Sequence, residues 1–218
     1  MRHAFHEQLD SIFDDLAEIA RDVREAVTAA TEALMTGNAG IAEQVISGDA
    51  RIDEARERLE EKSFTLLSLQ QPVAGDLRTV VAALRMVAEL ERMGDLSVHV
   101  AKVARLRVPS VAVPKEAEPI VQRMAMVAEV MVGKTADIIA ERDVESARSL
   151  ARMDEEMDQL RRASFREVLG PDWAHGVEAA VDLALLGRYY ERIADHAVSV
   201  ANRVVYVVTG EAPASVVA

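Results

Sequence analysis

Glu91-Arg92-Met93-Gly94-Asp95 and Glu191-Arg192-Ile193-Ala194-Asp195 are two copies of one phrase, Glu-Arg-x-x-Asp, set 100 residues apart. On an α-helix, Glu and Asp at i and i+4 project from the same face. Two neighbouring anions there cost ~0.2–0.5 kcal/mol unless a positive charge joins them. The arginine of each phrase can supply that charge by reaching the Asp three residues on. A metal cation shared by both carboxylates is the alternative. Because the phrase recurs in both halves of the chain, both readings stay open.

The residues around the first copy have helical periodicity. Val73, Leu77, Val80, Leu84, Val87, Gly94, Val98 and Ala101 fall at steps of three and four, so Glu91 and Asp95 sit at the edge of a buried stripe. Pro72 suits the first turn of this helix, where its missing N–H has no intrahelical partner to lose. Upstream, one long stripe runs from Phe5 through Leu9, Ile12, Phe13, Leu16, Ile19, Val23 and Val27 to Leu34. Gly37-Asn38 stops it, and Asn38 can cap the next helix, which buries Ile41, Val45, Ile52, Leu59 and Leu66. That second helix carries another i, i+4 acidic pair, Asp49 and Asp53, with Arg51 and Arg56 close by. Taken alone, the pair reads as solvated surface.

Val108 to Pro114 breaks the period with two prolines and reads as a connector. Three further helices are expected: about Pro119 to Ala140, about Asp143 to Leu169, and a long last helix carrying Ala180, Ile193, Ala197, Val204 and Val208. The tail from Glu211 to Ala218 is expected to fray. The middle helix of this second set aligns with that of the first in two registers. An offset of 101 matches Ile52-Asp53-Glu54 to Met153-Asp154-Glu155, and an offset of 105 matches Asp49 and Asp53 to Asp154 and Asp158. In either register an acidic pair lies beside each Glu-Arg-x-x-Asp. Clustered oxygen ligands suit iron, manganese, magnesium or calcium better than zinc.

Composition narrows the function classes. The chain has 218 residues, half of them hydrophobic and only 4% aromatic, which suits packed helices rich in Ala, Leu, Val and Met. A net charge of −12 argues against broad contact with nucleic acid or anionic lipid. Without cysteine there is no disulfide, thiolate zinc site or thiol nucleophile. The opening residues lead straight into charged amphipathic sequence, so no signal peptide and no membrane span is expected, and the expected compartment is the cytoplasm.

Gln71-Pro72-Val73-Ala74-Gly75-Asp76-Leu77-Arg78, Glu89-Leu90-Glu91-Arg92-Met93-Gly94-Asp95 and Tyr190-Glu191-Arg192-Ile193-Ala194-Asp195, with the Phe5 to Leu9 opening, make the chain resemble the PhoU family of phosphate-transport accessory proteins. The resemblance covers nearly the whole length. It implies an all-α fold of two tandem, pseudo-symmetric three-helix bundles, here residues 1–107 and 114–210. It implies metal held at Glu91, Asp95, Glu191 and Asp195, with Asp49, Asp53, Asp154 and Asp158 as further candidates. Iron is one candidate ion, manganese and magnesium are others. It also implies a regulator and not an enzyme. Such a protein links the phosphate ABC transporter ATPase to a sensor histidine kinase at the inner face of the membrane. It represses phosphate uptake and the starvation response. A homodimer is compatible with this reading.

Several residues depart from a simple repeat. Gly170-Pro171-Asp172-Trp173 replaces the Pro-Val-Ala turn in the second half, and Ser199 stands where the first half has His99. Asp76 and Arg78 read as an ion pair at a helix start or as part of a docking surface. Trp173 reads as a cap on the bundle end or a partner anchor. Two other functions compete: a metal-free helical scaffold, and a ferritin-like di-metal enzyme. The latter class builds its centre from Glu-x-x-His, which this sequence lacks.

Overall fold

Helix α1 (Arg2–Thr36) is the longest element, about 50 Å at 1.5 Å per residue. The computed structural model describes residues 2–211, with side chains from 5 to 211, so the expected fraying of 212–218 lies outside the described residues. The expected stripe of α1 is buried from Phe5 to Leu34, with Leu16, Ala20 and Val23 fully enclosed. Gly37, at φ 64, ends the helix in the left-handed region that a side chain disfavours. Asn38 then caps α2 (Ala39–Gln70) by accepting from the N–H groups of Gly40 and Ile41, as the sequence indicates.

Helix α3 (Ala74–Arg107) starts later than Pro72 suggests. Gln71 closes α2 in a left-handed conformation and donates its N–H to Leu67 O, so Pro72 falls in the link just past that cap. Proline is common there because it cannot continue the helix it follows. The second set comprises α4 (Glu118–Glu141), α5 (Val144–Val168) and α6 (Gly176–Thr209). Asp143 caps α5 through the N–H groups of Glu145 and Ser146. Among the described residues these six helices are the only regular elements.

Helices α1, α2 and α3 pack on one another, as do α4, α5 and α6. The two sets meet through α1 against α4 and α3 against α6, which leaves α2 and α5 as outer layers. The α3–α6 seam is antiparallel. Arg78, near the start of α3, donates to Val207 O near the end of α6, and Arg107 at the other end of α3 binds Asp182. Asp182 is buried, so the two-pronged Arg107 contact at 2.5 and 3.1 Å supplies the charge it lost from water. Midway, His196 Nδ1 lies 2.6 Å from Glu89, and His99 stacks on Tyr189 with ring centroids 5.3 Å apart.

The buried stripe of the outer helices decides between the two registers. Ala42, Val45, Ile52 and Leu59 face inward on α2, and Ala147, Leu150, Met157 and Ser164 do so on α5. Each pair is 105 residues apart. The offset of 100 holds for α3 and α6, and the five-residue difference comes from the helices: α5 ends earlier after its acidic pair than α2 does, which the longer link of 169–175 against 71–73 only partly offsets.

Candidate acidic clusters and their family

The 105 register places Asp49 and Asp53 of α2 beside Glu91 and Asp95 of α3. Likewise it places Asp154 and Asp158 of α5 beside Glu191 and Asp195 of α6. Every predicted carboxylate therefore falls in one of two four-membered clusters, one at each outer helix.

In the first cluster, burial pushes the Asp49 carboxyl up from 3.8 to about 6, aided by the negative charges of Asp53, Asp95 and Glu91. Burial also raises Glu91, with Asp95 adding to it and Arg92 and Arg56 opposing. Gly94 lets α2 come close here. A Cβ at that position would meet Ile52 Cδ1 at 3.1 Å and Asp49 Oδ1 at 3.4 Å. A pocket of about 250 Å³ opens beside Asp49, floored by Gly48, Gly94, Ala26 and Ala29.

In the second cluster the counterpart of Asp49 is shifted in the same direction. Burial raises Asp154 to about 6, with Asp195, Asp158 and Glu191 contributing. Burial, then Glu191, raises Asp195, against Arg188 and His196. Its Glu191 is buried, whereas Glu91 is only half-buried.

The arginine inside each phrase does little of what its spacing suggested. Arg92 stays 3.7 Å from Glu91 and 3.9 Å from Asp95, and Arg192 makes no ion pair among the described residues. Arg51 turns to Asp22 and Arg56 hydrogen-bonds Glu60, so Arg56 acts on Asp53 and Glu91 only through its charge, as Lys102 does on Asp49. The arginines that hydrogen-bond a cluster carboxylate are Arg161 and Arg188, both on Glu191, and Arg162, which reaches Asp158 at 3.4 Å. Arg188 could have been found in the sequence, three residues before Glu191, whereas Arg161 needed the 105 register.

Other singled-out residues have structural partners. Arg78 does not pair with Asp76. It reaches Val207 O and lies over the Tyr206 ring, while Asp76 sits 3.9 Å from His6. The antiparallel seam, invisible locally, claims the arginine. Trp173 donates its indole N–H to Gly176 O and packs edge-on to His175, which ties down the α5–α6 turn. His99 stacks on Tyr189, away from the row of Asp95.

As ligands for a hard cation, the carboxylates fit in chemistry, being oxygen donors. In placement, no three Asp, Glu or His among the described residues already surround one point closely enough to hold an ion. Binding would need the side chains to turn.

Two matches to the PhoU domain cover residues 16–104 and 121–204, one on each set of three helices. The chain belongs to the PhoU family. It is 44% identical over 213 residues, 98% of this chain and all of the other, to a Mycobacterium tuberculosis protein named phosphate-specific transport system accessory protein PhoU homolog 2. A Deinococcus radiodurans PhoU homolog is 32% identical over 96% of this chain and 99% of its own. Crystal PhoU from Pseudomonas aeruginosa superposes with a TM-score of 0.88 at 27% identity, over 95% of this chain and 100% of the other. The phosphate transport system regulatory protein PhoU of Streptococcus pneumoniae gives 0.86 at 25% identity, over 95% and 98%. The resemblance and the all-α double-bundle fold expected from the sequence are both borne out. A role alongside phosphate transport comes with the family.

Proposed function

We propose that this chain is a non-enzymatic, cytoplasmic negative regulator of phosphate uptake and of the phosphate-starvation response. It acts by binding the ATPase of the phosphate transporter and a sensor histidine kinase. Family membership across nearly the whole chain is the observation that carries this reading. It is supported by the fact that no helix among the described residues is long and apolar enough to cross a membrane. Loss of the gene should leave starvation genes expressed in high phosphate, and restoring it should silence them. Unchanged silencing in a strain with no second copy would overturn the regulatory reading.

The same proposal includes a hard cation, iron, manganese or magnesium, at the acidic clusters. Such an ion would supply the positive charge that four crowded carboxylates lack. Asp49, Asp53, Glu91 and Asp95 would hold it in the first half. The second reading is a metal-free scaffold, favoured by the absence of three donors already grouped about one point. Manganese should raise the melting temperature of chelator-treated protein by mass action on the folded state. Coincident melting curves would favour the scaffold.

A further inference from the structure

Three carboxylates of α1 and three cations of α2 face each other on one side of the first bundle. Asp15, Glu18 and Asp22 fall at steps of three and four, and Arg51, Arg58 and Lys62 at steps of seven and four. Each set therefore lines one helix face. Between them lies a cleft of about 540 Å³, floored by Ile19, Ala55 and Leu59. Ion pairs close its two ends. Lys62 Nζ lies 2.5 Å from Asp15, and Arg51 binds Asp22.

The middle rung is open. The two helices run antiparallel, so the outer pairs set Glu18 opposite Arg58, yet these two are not joined. Glu18 makes no ion pair among the described residues. Arg58 has one loose contact, 3.8 Å to Glu54 one turn back, with the two side chains 67% and 69% exposed. Three carboxylates against three cations leave the cleft without net charge, so it does not concentrate an ion of either sign. What it presents is an unpaired anion facing a loosely held cation over an apolar floor. In the 105 register the counterparts of Arg51, Arg58 and Lys62 are Glu156, Ala163 and Glu167, so this row of cations belongs to the first half alone.

We propose that the cleft binds a small zwitterion, an aliphatic α-amino acid. Its ammonium donates to Glu18, the Arg58 guanidinium donates to its carboxylate, and its side chain rests on Ile19, Ala55 and Leu59. Guanidinium and carboxylate match in a two-pronged, charge-assisted contact. A ligand of one charge would satisfy only one of the two residues. The cleft shares no residue with either acidic cluster and needs no cation, so it adds a small-molecule ligand to the regulatory reading and stands or falls apart from it.

Isothermal titration with L-leucine tests this, alongside two fragments of the same shape: isocaproate, which lacks the ammonium, and isoamylamine, which lacks the carboxylate. Leucine should bind, and each fragment should bind about tenfold more weakly or worse, the loss expected from one charge-assisted contact. Glu18→Gln and Arg58→Gln should each weaken leucine by about the same factor. Both positions are exposed and both changes keep shape, so the variants should melt like wild type. Glu54→Gln, which frees Arg58, should not weaken leucine. No heat from wild type at millimolar leucine would overturn the inference, as would equal binding by wild type and both Gln forms. A fragment that binds as tightly as leucine would overturn the choice of a zwitterion. Melting temperatures in which Glu18→Gln and Arg58→Gln are coupled, with no shift from leucine, would show the middle rung closed on itself and would overturn it too.

Discussion

The two acidic clusters lie on the same backbone arrangement, yet they are packed and neutralised differently. In the first half α2 comes in tight against α3 at Gly94, directly beside Asp49. In the second that position is Ala194, and the corresponding close approach is at Gly187, where a Cβ would meet Ser164 Oγ at 3.2 Å. The tight spot has moved two turns away from the carboxylates. Leu59, buried on α2, is matched by the smaller Ser164 on α5, so packing volume has been redistributed along the helix pair. A duplicated bundle thus keeps the inward stripe and the eight carboxylates, while the residues one step outside them are free to diverge. Repetition of a motif fixes where a cluster lies, and its neighbours decide how its charge is balanced.

The comparison is broken most forcefully by removing the arginines. Replacing Arg161 and Arg188 together with Ala would leave Glu191 nearly buried without a partner. Stripping a buried pair costs ~3–5 kcal/mol, and partial solvent access to both arginines lowers the expected cost to about 2–3 kcal/mol. For a chain of this size that corresponds to a fall in melting temperature of roughly 4–12 °C. An unchanged melting temperature would mean that the arginines are ornamental.

A pH series sharpens the comparison. Asp49 and Asp154 are both raised from 3.8 to about 6 in the folded chain. A raised carboxyl binds its proton more tightly when folded. Its contribution is therefore fully present below the unfolded value and is lost as pH rises through the folded one. Metal-free protein should lose stability between about pH 4 and pH 7. Asp49→Asn and Asp154→Asn should each flatten that loss. A loss of stability that neither substitution changes would contradict the raised values of Asp49 and Asp154. The smallest effect is expected from Arg92→Ala. Its exposed, long contacts are worth ~0–1 kcal/mol, so its denaturation midpoint should scarcely move.

Much of this molecule can be read from the sequence because helical cores write themselves as periodic stripes. The α1 stripe from Phe5 to Leu34, the Asn38 cap and the paired Glu-Arg-x-x-Asp phrases all depend on local spacing. Which carboxylates share a cluster depends on how two helices slide past each other. The sequence admits two registers, and only the inward-facing Ala42, Val45, Ile52 and Leu59, set against Ala147, Leu150, Met157 and Ser164, separate them. The partners of arginines were the least legible. Arg78 reaches Val207 from 129 residues away, and Arg161 reaches Glu191 from the next helix. A long flexible side chain takes whatever carboxylate or carbonyl the tertiary fold brings near, and local sequence does not record that choice.

The most direct test of the difference between the clusters is a crystal structure at a resolution that places every side chain. The expected result is Arg161 and Arg188 both on Glu191, with Arg92 exposed beside Glu91. The two arginines turned out to solvent would contradict it.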